Sequence, residues 1–165
     1  MSNPLSINRA SVERILFDLG VPIDKFVPLI SGQEFAAIHP DEVFGQFTDD
    51  WITFRNGFFP EGYQKDGVTV CVHFGFAWAA FIRRCHAISP NRPKNSTVWA
   101  GAWIYEPYAL RGEMHCIGYF LHWTGTVWEL RFAEPQWSPN IGLGPTAEVE
   151  LTETERESCT YLDAF

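Results

Sequence analysis

Four cysteines and five histidines carry most of the nucleophilic and basic chemistry available to this chain. Cys71 draws attention first, because GVTVCVHFGFAWAAFIRRCH (67–86) begins like a strand and continues like a helix around it. A cysteine nucleophile needs a lowered thiol pKa, a base to take its proton, and a group that orients the base. His115, in EMHCIGYF, is the base candidate and stands 44 residues after Cys71. Glu134, in RFAEPQW, is the orienting candidate, a further 19 residues on. Gln64, seven residues before Cys71, could lend its amide to an oxyanion. Taken singly, Cys71, His115 and Glu134 each have a bland reading, as a buried structural thiol, a histidine bracing a strand and a solvated glutamate, and Gln136 could simply brace a loop through its amide.

The elements that must position these residues follow from the apolar pattern. Phe74, Ala77, Trp78, Phe81 and Ile82 recur at helical spacing and leave both faces largely apolar, which predicts a buried central helix from 74 to 84. Thr69 as N-cap would put Cys71 in the first helical turn, where unpaired N–H groups favour a thiolate. The competing reading extends the strand VTVCV through Cys71, and the pattern leaves both open. TVWAGAWIY, HCIGYFLHW and VWELRFAE read as strands, with a hairpin turn at Thr124-Gly125-Thr126. That hairpin would bring His115, near one strand's start, beside Glu134 at the next strand's end, both facing the central helix.

Elsewhere, Val12, Ile15, Leu16 and Leu19 form an amphipathic stripe over 9–19, stopped by Gly20 and Pro22. Ser31 and Glu34 suggest a capping box before a short helix, FAAI, ended by His39-Pro40, with Asp41-Glu42 starting another. Thr48 to Lys65 reads mostly as loop, because of its Asn-Gly and Pro-Glu-Gly turns. Ser89 to Asn95 is a connector, and the acidic tail TETERESCTYLDAF receives no element. Helices followed by an antiparallel sheet predict an α+β fold, one domain over residues 1–165.

Composition limits the function classes. The 165 residues are 46% hydrophobic and 19% charged, with a net charge of −8. That balance disfavours nonspecific nucleic-acid binding, which needs Lys and Arg. No apolar stretch is long enough to span a membrane, and MSNPLSINRASVERI lacks a secretion-signal pattern. The expectation is a cytoplasmic protein with reduced thiols and an idle Asn95-Ser96-Thr97 sequon. Most of the seven Trp are expected in the core.

The ordered set resembles the papain-like cysteine peptidases. It is most similar to the C-terminal domain of the Marasmius oreades agglutinin and its phage and bacterial relatives. The matching pieces are Cys71 followed by FGFAWAAF, His115 opening a strand, the Thr124-Gly125-Thr126 turn, and a strand ending in Glu134-Pro135-Gln136. The likeness covers roughly residues 60 to 140. It implies a cysteine-dependent peptidase or isopeptidase with a papain-like fold and a Cys71, His115 and Glu134 triad. Gln64 would then serve the oxyanion, and Gln136 and Trp137 would lie at the substrate. No cofactor is required by this reading. The agglutinin's peptidase domain uses calcium, so calcium enters by resemblance with no ligands assigned.

Other readings stand beside it. Val70 replaces an acidic residue common before the cysteine, and Cys-Ile-Gly follows the histidine where Ala and a polar residue are commoner. The alternative is therefore a non-catalytic acidic binding protein on a degenerate papain-like fold, such as a phage-type inhibitor of a host target. A virion component is a third. A zinc site drawn from Cys71, His73, Cys85, His86, His115, Cys116 and His122 lacks the close ligand pairs that structural zinc prefers.

Overall fold

The computed structural model describes residues 6–21, 26–28, 34–60, 71–90, 96–110, 112–136 and 147–164. It is a mixed helix-and-sheet structure of the α+β kind. In chain order the elements are β1 (Ser6–Asn8), α1 (Arg9–Asp18), β2 (Phe26–Pro28), β3 (Glu34–Ala36), α2 (Thr48–Phe58) and α3 (Cys71–Ile88). There follow β4 (Ser96–Val98), β5 (Ala100–Tyr105), β6 (His115–Trp123), β7 (Trp128–Ala133), β8 (Glu148–Val149), α4 (Glu153–Glu157) and β9 (Tyr161–Ala164). A π-helical turn, Glu42–Gln46, leads into α2.

One sheet has the order β2-β9-β5-β6-β7-β8 and is antiparallel except for the β2–β9 pair. A smaller sheet has the order β1-β3-β4. β6 is the long central strand, buried along eight of its nine residues, because both of its faces are covered. On one face Ile117, Tyr119 and Leu121 join Trp103, Tyr105, Phe132 and, from α1, Val12 and Leu16. On the other, Phe120, Ala100 and Ala133 join Trp78, Ala79 and Ile82 of α3 and Trp51 of α2. Gly118 makes the second packing feasible: a Cβ there would meet ring atoms of Trp78 at 2.2–2.7 Å.

The α1 stripe, the central helix and the β6–β7 hairpin form as expected, and Gly20 and Gly125 take φ of 78° and 103° at the two reversals. Three expectations are corrected. Glu34-Phe35-Ala36 is a strand rather than the start of a helix, because Phe35 and Ala36 are buried between β1 and β4 and four residues cannot nucleate a helix alone. Thr48 to Phe58 is a helix rather than loop. Trp51 and Phe54 stack on each other and pack at a tilt against Phe81, and Asp49 and Asp50 sit in the first turn, where the helix dipole favours them. These contacts override the Asn56-Gly57 turn signal. The acidic tail contains α4 and β9, with β9 paired between the edge strand β2 and β5 of the large sheet. Among the described residues no helix is long and apolar enough to cross a membrane.

Candidate functional site

Three elements converge on one end of the large sheet. α3 brings Cys71 as its first residue, half-buried in the first turn. β6 brings His115 as its first residue, opposite Tyr105 of β5. β7 ends at Ala133, and Glu134 follows directly, its N–H donating to the Ala147 carbonyl at 2.9 Å. The register pairs Gly118 with Ala133, so the end of β7 runs alongside the start of β6. The Glu134 side chain has only a short way to go back.

His115 Nε2 lies 2.7 Å from Glu134 Oε2. The carboxylate can only accept, so the ring nitrogen donates. Glu134 Oε1 accepts the backbone N–H of Gln136 at 3.0 Å. Both carboxylate oxygens are thus engaged, which is how a fully enclosed carboxylate is satisfied: Glu134 is 0% exposed and His115 6%. The other side of the ring hydrogen-bonds the Cys71 side chain. Since Nε2 is occupied, Nδ1 is the nitrogen left for sulfur.

The electrostatics follow from these contacts. Burial of the ring works against its charge, but the hydrogen bonds to Cys71 and Glu134, with their charges, outweigh it and push His115 up to about 9. Cys116, the next residue, behaves oppositely. Its thiol is held well above the ordinary range, by burial first and then by the charges of Cys71 and Glu134. Tyr105 is raised as well, by burial and then by Glu134, and its ring lies edge-on to His115 at 6.0 Å. The imidazole therefore sits among groups that favour its protonated form, beside neighbours that stay neutral.

Strand alternation refines the expectation that His115 faces the central helix. Cys116, Gly118 and Phe120 line the face of β6 turned to α3, near Gly75 and Trp78. His115 belongs with Ile117 and Tyr119 on the other face. It reaches Cys71 because both residues begin their elements, at the end of the sheet.

Of the remaining residues singled out from the sequence, Gln64 and Trp137 lie outside the described residues. Gln136 is buried, 2% exposed. Its backbone serves Glu134, and its Oε1 has no hydrogen-bond partner among the described residues. Cys85 and His86 lie about 20 Å further along α3 than Cys71, too far to share a metal with it. Among the described residues no three or more His, Cys, Asp or Glu side chains gather where they could hold a metal. The zinc set is not assembled there. An apolar groove of about 430 Å³, lined by Phe58, Phe59, His73, Phe76, Ala77 and Ala80, runs along the side of α3 turned away from the sheet.

Two neighbours of the site were not found from the sequence. Tyr105 was one aromatic in a strand, and its place opposite His115 depends on a register that composition does not give. Trp51 lay in the segment read as loop, yet its indole N–H donates to the Pro135 carbonyl at 3.0 Å. No family model, no curated protein and no solved structure matches the chain.

Proposed function

We propose that the protein is a cysteine-dependent hydrolase of peptide or isopeptide bonds, built on a papain-like arrangement. The observation that carries the reading is the His115 ring, held between the Cys71 side chain on one side and the buried Glu134 carboxylate on the other. Cys71 sulfur would attack the carbonyl carbon while His115 Nδ1 holds the thiol proton. His115 would then give that proton to the departing amine, leaving a thioester on Cys71. Water, deprotonated by His115, would cleave the thioester and return the free thiol. Glu134 keeps Nε2 protonated and the ring aligned throughout. The N–H of Cys71, at the start of α3, and the Gln64 amide are the groups assigned to the oxyanion.

The test has two parts. Mild alkylation by iodoacetamide at pH 6, mapped by peptide mass, should label Cys71 at least tenfold faster than Cys85, Cys116 or Cys159, because the thiolate is the reacting form. Cleavage of a fluorescent casein substrate, or of an isopeptide-linked one, should vanish in Cys71→Ala. Equal, slow labelling of all four cysteines, or full activity in Cys71→Ala, overturns the proposal. Equal labelling would favour the second reading, suggested by the net charge of −8, of an acidic protein that binds a basic partner without turnover.

A further inference from the structure

We propose that Trp51 is a positioning residue for this site: by holding the carbonyl of Pro135, its indole N–H fixes the turn that aims the Glu134 carboxylate at His115. The inference rests on the reading above that His115 and Glu134 serve Cys71.

The argument starts from the turn's own backbone. After β7 ends, the N–H of Glu134 is spent on Ala147, and the N–H of Gln136 is spent on Glu134 Oε1. Pro135 between them has no N–H to offer. Its carbonyl is the handle that remains, and Trp51 Nε1 takes it at 3.0 Å, from 84 residues away in the chain. Pro135 stands between the residue that carries the carboxylate and the residue that supplies its backbone donor. Rotation of the Pro135–Gln136 peptide swings the Gln136 N–H away from Glu134 Oε1, and with it the contact that sets the carboxylate's direction.

Trp51 is equipped to hold still. It is 1% exposed, and its ring lies 5.4 Å from Phe81 of α3 and 5.8 Å from Phe54 of α2. Phe81 belongs to the helix that begins at Cys71. One indole thus packs against the helix carrying the sulfur and hydrogen-bonds the turn carrying the carboxylate. A core tryptophan needs an acceptor for its N–H, and many would serve. Here the acceptor is the carbonyl of the same peptide unit whose N–H bonds the Glu134 carboxylate.

The experiment follows the His115 imidazole by ¹⁵N NMR titration in the full chain, alongside the Cys71 alkylation rate at pH 6.5. The charged and titratable neighbours of that ring are Cys71, Glu134, Tyr105 and Cys116. None of them is altered by the substitution. In Trp51→Phe the His115 midpoint should fall by about one pH unit, a tenfold loss of proton affinity, and Cys71 alkylation should slow about tenfold. Phe81→Leu removes the ring contact and leaves the hydrogen bond. It should lower the melting temperature with neither readout changed. Should Trp51→Phe fail to fold, the sulfur isostere of tryptophan, β-(3-benzothienyl)alanine, placed at position 51 keeps the shape and lacks the N–H. The proposal is overturned if loss of the N–H leaves both readouts at their parent values, or if Phe81→Leu moves them equally. Absence of hydrolysis by the parent would sink the peptidase reading and leave this titration test standing.

Discussion

Glu134→Gln tests the site at its least adaptable point. Glu134 Oε1 accepts the Gln136 N–H at 3.0 Å, and Oε2 faces His115 Nε2 at 2.7 Å. A glutamine of the same shape has one acceptor and one donor in place of two acceptors. Its nitrogen cannot accept the backbone N–H, so its oxygen must occupy the Oε1 position. The NH₂ group is then turned onto His115, and Nε2 has to accept. The ring's proton moves to Nδ1, the nitrogen that faces sulfur and needs to be empty to receive the thiol proton. Two losses add. A charge-assisted hydrogen bond contributes about 2 kcal/mol, and losing it lowers the stability of the imidazolium about 30-fold. The inverted tautomer disables proton transfer, with a cost in turnover on the order of 10³ to 10⁴. The assay is iodoacetamide labelling of Cys71 at pH 6.5, read by mass spectrometry, with circular dichroism to establish folding. A folded Glu134→Gln protein should label about 30-fold more slowly and show no measurable hydrolysis. A rate within twofold of the parent would refute the assignment of the carboxylate as the group that holds the imidazole proton.

The raised pKa of His115 also sets a pH dependence of stability. A group lifted from 6.5 to about 9 on folding contributes stability that is full below about pH 6.5 and is lost as pH rises through about 9. The size is about 3 kcal/mol at 1.36 kcal/mol per pH unit. Urea unfolding at pH 6 and pH 10, parent minus Glu134→Gln, reads this share together with the part of the Tyr105 and Cys116 shifts that Glu134's charge supplies, all of one sign. Parallel pH dependences would contradict it. Gly118→Ala should lower the melting temperature by roughly 5–10 °C, because the added Cβ meets Trp78 ring atoms at 2.2–2.7 Å and overpacking costs about 1–3 kcal/mol. An unchanged melting temperature would show that α3 can lift off β6 at little cost.

The residues that meet at the site were legible because each is tied to an element with a strong local signature. The aromatic and alanine run after Cys71 has helical spacing, and His115 opens nine residues suited to a strand. A two-strand hairpin makes the sequence distance from His115 to Glu134 geometrically meaningful. What was not legible is set by tertiary pairing. Phe35 and Ala36 become a strand only because β1 and β4 lie on either side. β9 is four residues in an acidic tail and joins the large sheet through β5. Two missed signals were present. Trp51, Phe54 and Phe58 have the i, i+3, i+7 apolar spacing of a helix, hidden by the Asn56-Gly57 dipeptide near its end. Thr152 and Glu155 form a complete capping box at the start of α4. The face taken by His115 needed the register as well as the strand, and α3 settles it through Gly75 and Gly118.

The burial of Glu134 is the physical reason to look for chemistry here. Withdrawing a carboxylate from water costs several kcal/mol, and a buried ion pair seldom returns more than an apolar pair of equal volume would. The surroundings are those of an ordinary core: Trp103, Tyr105, Ile117 and Phe132 share the face. Two leucines would fill the same space with no charge to satisfy. Instead the chain places a carboxylate with both oxygens bonded, a proline between it and its backbone donor, and an indole holding that proline's carbonyl. Packing alone asks for none of these. Each restricts the direction in which one imidazole points, and the far side of that ring meets a half-buried thiol at the start of a helix. A fold that needed only cohesion would leave the thiol sealed or the ring free to turn. The proposed chemistry, a proton held beside sulfur, requires both to be fixed, and these contacts are the restraints that requirement calls for.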